Sequence, residues 1–203
     1  MSTNVPPRRR LSREARQRQL LDAAWALVRE EGTDALTLGR LAERAGVTKP
    51  VAYDHFGTRD GLLVALYEEF DARQTALMDE ALARSAATLD ARARVIAGSY
   101  VDCVMQQGRE IPGVAAALAG SPRLEQVKRD WETAFVGKCR AALAPFADAG
   151  PIPPAAWRAV LGAAEALAGA AAHGEIDAAQ ARDELADTIV AMARRHARRA
   201  RAR

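Results

Sequence analysis

Apolar positions recur every three or four residues along most of this chain, and no stretch alternates with the period of a strand. Leu20, Leu21, Ala24, Leu27 and Val28 form one such face, with Ser12 as a candidate N-cap before it and Gly32 as a stop after it. Leu38, Leu41 and Ala42 form a second, short face between Thr37 and Gly46. Ala52 and Phe56 form a third between Thr48 and Gly57, with Pro50 in the first turn, where its missing N–H does no harm. Thr58 caps a fourth helix, and Asp60 suits its N-terminal dipole. From about Leu62 the predicted helices lengthen. One runs to about Ser85. The next carries Leu89, Ala93, Ile96, Ala97, Tyr100 and Val104 on one face. A short helix lies within "REIPGVAAALAGSP", and a long one follows with Val127, Trp131, Phe135, Cys139 and Leu143 in register. After the linker "APFADAGPIPP" come two helices at about 155–173 and 178–199. The expected fold class is all-α. Its predicted parts are an arm at 1–11, a helix-turn-helix unit at 12–60 and a larger helical region at 61–203.

The second and third faces form a helix-turn-helix. "AGVT" joins them, Gly46 calls for positive φ, and Val47 fills the angle between the helices. With Ala52 and Phe56 turned inward, a rotation of about 100° per residue points Pro50 and Asp54 outward. Lys49 and Tyr53 flank that outer face on one side, and Val51 and His55 on the other. Lys, Tyr and His side chains all reach phosphate oxygens when such a helix lies in a major groove. Backbone N–H groups at helix starts near Thr37 and Thr48 do the same. Asp54 is out of place beside phosphates. It either accepts from cytosine N4 or pairs with Lys49 or Arg59.

Charge sharpens this picture. The net +3 divides into +3 over residues 1–60, −6 over 61–193 and +6 over 194–203. A polyanion is drawn to the ends of such a chain. Arg8, Arg9 and Arg10 make the arm basic, as a minor-groove arm is, and "RRHARRARAR" reads as a frayed, solvated helix end. No charge-free apolar run is long enough to cross a membrane, because Arg158 and Glu165 interrupt the best candidate. With two cysteines and no apolar leader, the expectation is a soluble, cytoplasmic protein.

The stretch "LLDAAWALVREEGTDALTLGRLAERAGVTKPVAYDHFGTRDGLL" resembles the DNA-binding domain of the tetracycline-repressor (TetR) family, and the likeness spans about residues 14–66. The resemblance implies phosphate contacts from Thr37, Thr48, Tyr53, His55 and Arg59. It implies base contacts from the exposed part of the second short helix, which holds Lys49, Pro50, Val51 and Asp54. Pro50 stands where the family often has Gly or Ala, and Asp54 where it often has an aromatic or basic residue. A ligand-responsive regulator follows as the expectation, more often a repressor than an activator. It would be released from its operator by a small-molecule effector in the C-terminal region.

The helix at 155–173 is apolar on all sides apart from Arg158 and Glu165. One chain covers one of its faces, so a second copy is expected to cover the other. Trp157, Leu161 and Ala164, with Leu185, Ile189 and Met192 on the last helix, are the expected homodimer interface. A two-fold dimer would present two recognition helices about 34 Å apart to a palindromic, double-stranded operator. Tyr100, Cys103, Val104, Gln107, Trp131 and Phe135 are the candidate effector site, an apolar pocket with a few polar groups. At helical spacing such an aromatic and sulfur stripe is more often plain core.

An enzyme is the main rival class. The sequence has no Gly-rich phosphate loop, no metal-ligand cluster and no paired nucleophile and base, so no cofactor or metal is expected. A ligand-binding dimer with a vestigial head is the third class. Binding to a palindromic fragment, weakened steeply by salt, separates it from a regulator.

Overall fold

The computed structural model describes residues 11–110, 113–117, 122–146 and 152–201, and every regular element among them is helical. The Arg8–Arg10 arm lies outside the described residues. The chain divides into two compact units between Leu66 and Tyr67, a point within the helix α4, Arg59–Arg84.

The first unit holds α1 (Arg13–Glu31), α2 (Leu38–Ala45), α3 (Lys49–Phe56) and the start of α4. Each boundary has a local cause. Ser12 accepts from the Ala15 N–H at 3.1 Å, Thr37 from the Arg40 N–H at 3.2 Å, and Thr58 from the Gly61 N–H at 3.1 Å. Gly46 closes α2 at φ 65°, where a side chain would be strained. The Val47 N–H then donates to the Ala42 carbonyl at 2.9 Å, which fixes the turn into α3. Leu20, Leu27, Leu36, Leu41 and Leu62 have almost no exposed surface and form the core. Each contributes about 1.5–3 kcal/mol by its burial.

The second unit holds the rest of α4 with α5 (Leu89–Glu110), α6 (Val114–Ala117), α7 (Pro122–Leu143), α8 (Pro154–Ala172) and α9 (Ala178–Arg201). Its core runs through Ile96, Ala97 and Val101 of α5, Ala164 and Ala168 of α8, and Ala181, Leu185 and Ile189 of α9. Ala93, Ala97, Ala164, Ala168 and Ala181 are small, so the three helices approach closely. At the rim, Arg182 pairs with Asp102, Arg94 with Asp183 and Arg194 with Asp90, all between α9 and α5. Such exposed pairs align helices more than they stabilise them. α9 continues as helix to Arg201, rather than fraying where its arginines begin.

The expected dimer residues lie within this core. Trp157, Leu161, Ala164, Leu185, Ile189 and Met192 are 0–7% exposed, already covered by the chain's own helices. They have almost no surface left to bury against a partner. The exposed side of α8 is the opposite one, where Ala155, Ala159, Gly162 and Ala166 face outward. One chain does cover one face of this helix, but that face is the large-residue stripe.

Candidate nucleic-acid interface

α3 turns Ala52 and Phe56 into the core and Lys49, Pro50, Tyr53 and Asp54 into solvent. Tyr53 is 54% exposed, a large amount for a residue with that much apolar area. Val51 and His55 lie half-buried at one edge. Pro50 sits in the first turn, where the helix needs no donor from it. Thr48 precedes the helix in an extended conformation and makes no capping bond, so the helix leaves its hydroxyl unengaged. Thr37 is exposed and uses its oxygen as an acceptor, so its O–H still has a donor to offer. The Lys49 stem crosses Gly39 of α2. A Cβ there would meet Lys49 Cε at 3.6 Å.

Burial first, and then the Arg13 guanidinium, lower the His55 pKa from its usual value, which favours the neutral imidazole, while Asp54 opposes them. Its Nδ1 is enclosed without a hydrogen-bond partner in the protein, which leaves only Nε2 for an outside contact.

Two expected roles change. Arg59 does not project with the others. Its Nε donates to the Leu36 carbonyl at 2.8 Å and its Nη2 to the Thr33 carbonyl at 2.9 Å. It holds the segment before α2, where the resemblance implies a phosphate contact. Asp54 pairs with neither Lys49 nor Arg59. Arg13 Nη1 donates to its Oδ2 at 2.9 Å, and Arg13 Nη2 to its backbone carbonyl at 3.2 Å. No sequence signal singles out Arg13, because only the fold brings it to a residue 41 positions away.

In the second unit, the candidate effector residues do converge. Tyr100 lies 5.8 Å from Trp131 and 5.4 Å from Phe135, and Trp131 stacks on Phe135 at 5.2 Å. Cys103 lines a cavity of about 20 Å³ beside these rings with Gln74, Thr75, Met78 and Ser99. That is room for about one water and no more. Gln107 hydrogen-bonds the Tyr67 hydroxyl, and Val104 packs on the edge of the core. Burial pushes the Cys103 thiol up to about 12, and the Asp71 carboxylate adds to the shift. Burial also raises Asp71, from 3.8 to about 6. Sequence periodicity does not reveal Asp71, which reads as one more surface charge on α4.

These features define the class: an all-helical protein whose N-terminal unit presents the second helix of a helix-turn-helix to solvent. Residues 20–66 match the family of bacterial regulatory proteins, tetR family. Residues 20–66 thus carry the N-terminal domain of that family. It is 34% identical over 82 residues to the HTH-type transcriptional regulator BetI of Rhizobium meliloti (strain 1021), an alignment covering 40% of this chain and 39% of BetI. It is 41% identical over 64 residues to the class D tetracycline repressor protein of Escherichia coli, covering 32% and 28%. The chain thus matches well under half the length of these curated relatives. Solved structures align over more of it. A TetR-family transcriptional regulator from Streptomyces coelicolor superposes with a TM-score of 0.63, at 20% identity over 93% of this chain and 98% of that one. FadR from Bacillus subtilis, solved with stearoyl-CoA, has a TM-score of 0.62 at 16% identity over 86% and 97%. The multidrug binding protein EbrR, solved with ethidium, has a TM-score of 0.61 at 22% identity over 85% and 97%. At these identities the structures speak for the fold alone. Among the described residues, no helix is long and apolar enough to cross a membrane.

Proposed function

We propose that this protein is a ligand-responsive transcriptional repressor that binds a palindromic operator as a homodimer. One observation carries the reading. α3 is anchored inward by Ala52 and Phe56 and exposes Lys49, Pro50, Tyr53 and Asp54, with the starts of α2 and α3 beside them. Lys49, Tyr53 and the hydroxyls of Thr37 and Thr48 donate to phosphates, and Pro50 and Val51 meet base edges. His55 takes part through Nε2.

The homodimer forms through the outward side of α8 and the neighbouring side of α9. From Ala159 to Ala170 that side of α8 carries mostly methyl groups or hydrogen, so a second helix approaches closely. Two-fold symmetry then pairs two α3 helices with a palindrome. The effector is a small, largely apolar molecule. It enters by displacing the Tyr100, Trp131 and Phe135 rings, since the space beside them holds only a water. Ethidium and stearoyl-CoA belong to EbrR and FadR, and neither identifies the effector of this chain. Release needs a coupling of about 1–3 kcal/mol between effector and operator.

Genome-wide footprinting with the purified protein tests the reading and supplies the operator. Tyr53→Ala should then weaken operator binding and lower the salt slope, by about 1 for each phosphate the variant no longer holds, with helix content and solution mass unchanged. A wild-type protein that selects no duplex sequence would overturn the assignment.

A further inference from the structure

Asp54 stands on the surface that the regulator reading gives to DNA. A bare carboxylate there repels phosphates at every step of approach. It is not bare. Arg13, the first residue of α1, reaches it with one Nη and reaches its backbone carbonyl with the other, at 2.9 and 3.2 Å. The two bonds fix the guanidinium against α3 beside Asp54. Both side chains are about two-thirds exposed, 67% for Arg13 and 66% for Asp54. An ion pair that exposed contributes little to stability, so the fold has little need of it. A guanidinium carries five N–H donors, and these two bonds leave most of them pointing to solvent. The fork that remains has the geometry of a phosphate ligand. His55 also lies within the field of Arg13 and Arg16, which Asp54 offsets in part.

We propose that Arg13 is a phosphodiester-binding residue of the DNA interface and that Asp54 is its positioning residue, masking its own charge by the same contact. The pair replaces a single basic or aromatic group on the outer face of α3 with a two-residue device assembled from α1 and α3. The proposal rests on the regulator reading and adds a phosphate ligand to it. Asp54, held by Arg13, does not read a cytosine.

The test uses the full-length protein and the operator selected by footprinting, with fluorescence anisotropy at salt between 50 and 200 mM. The variants are Arg13→Ala, Asp54→Asn and the double variant. Arg13→Ala removes the phosphate ligand and exposes the carboxylate, so affinity should fall about tenfold and the salt slope by about 0.9 per phosphate set free, or about 1.8 for a two-fold dimer. Asp54→Asn in that background removes the exposed charge and should recover about threefold, a non-additivity that independent sites do not show. Base preference, read by repeating the selection with Asp54→Asn, should not change. Arg13→Ala binding as wild type overturns the proposal, as does a double variant no better than Arg13→Ala. A change of preference at one base pair in the Asp54→Asn selection makes Asp54 a base reader and also overturns it. In each of these cases wild-type operator binding still stands, so the regulator reading survives. If wild type binds no DNA, both fall together.

Discussion

Arg59 Nε donates to the Leu36 carbonyl at 2.8 Å, tying the first turn of α4 to the residue before Thr37. With the second bond, to the Thr33 carbonyl, this arginine satisfies two acceptors in the loop between α1 and α2. Thr33 is the residue that begins the 3₁₀ turn there, and Leu36 is fully buried. These bonds hold the half-buried Arg59 against its own domain, unlike Arg13, which is two-thirds exposed.

Arg59→Ala should therefore destabilise the first unit by about 1–2 kcal/mol, since hydrogen bonds from a charged, half-buried donor disappear. Arg59→Lys should recover only part, because an ammonium cannot reproduce the fork. Urea unfolding of the purified protein checks this. If Arg59 were a phosphate ligand instead, Arg59→Ala would unfold at the wild-type urea concentration and only DNA binding would suffer.

The large and small faces of α8 should respond differently to substitution. Leu161→Ala enlarges a small apolar cavity that Leu161 already lines with Leu185 and Ile189, and should cost about 2–5 kcal/mol. Gly162→Arg points into open space in a single chain, with nothing within 4 Å of an added Cβ. It should leave the thermal midpoint of the monomer nearly intact and halve the mass in solution. Light scattering and thermal unfolding of the two variants together test which face the partner occupies. A dimer that survives Gly162→Arg removes this face from the interface.

The helices and their ends are legible in the sequence because each has a local cause: Ser12, Thr37 and Thr58 as caps, and Gly32, Gly46 and Gly57 as stops. The orientation of α3 is legible because two apolar residues one turn apart leave only one way to bury it. Contacts between elements are not. Arg59 has the residue type and Asp54 the outward position of the DNA-facing set, and only the packing of α1 and of the Thr33–Leu36 loop shows what they touch. The stripe of α8 is visible in the sequence, and the chain's own α5 and α9 pack against it. Periodicity shows that a helix has two apolar sides, and it does not show which side its own chain covers. Large side chains fill gaps between helices of one chain, while the alanine and glycine side remains for close approach.

Asp71 gives a pH signature. Its pKa is raised in the folded state from 3.8 to about 6, by burial. Between those values the folded chain holds a proton that the unfolded chain has released, so this group's contribution is full below about pH 4 and disappears as pH rises through 6. Asp71→Asn should therefore stabilise the protein at pH 7.5, by about 1 kcal/mol once the half-exposure of the group is discounted. That is a rise of about 2–4 °C in Tm. At pH 4 the gain should vanish. Thermal unfolding at the two values reads it, and an equal gain at both would mean that the charge of Asp71 is not what costs stability.

The two cysteines should be unreactive in the folded protein. Burial raises both Cys103 and Cys139 to about 12. The thiolate, not the thiol, attacks a disulfide reagent, so at pH 8 only about one molecule in ten thousand is poised to react. Cys139 is buried among the core helices, and Cys103 is partly covered beside the Tyr100 ring. An aromatic disulfide reagent should therefore label neither thiol at a rate near that of a free cysteine until denaturant is added, when two equivalents should react. An effector that opens the ring cluster exposes Cys103 and leaves Cys139 covered. Labelling in its presence should then rise at one site only, and the site is read by mass spectrometry of the digested protein. Equal acceleration at both cysteines would show that the second unit loosens as a whole, and the pocket beside Tyr100 would not be where the ligand enters.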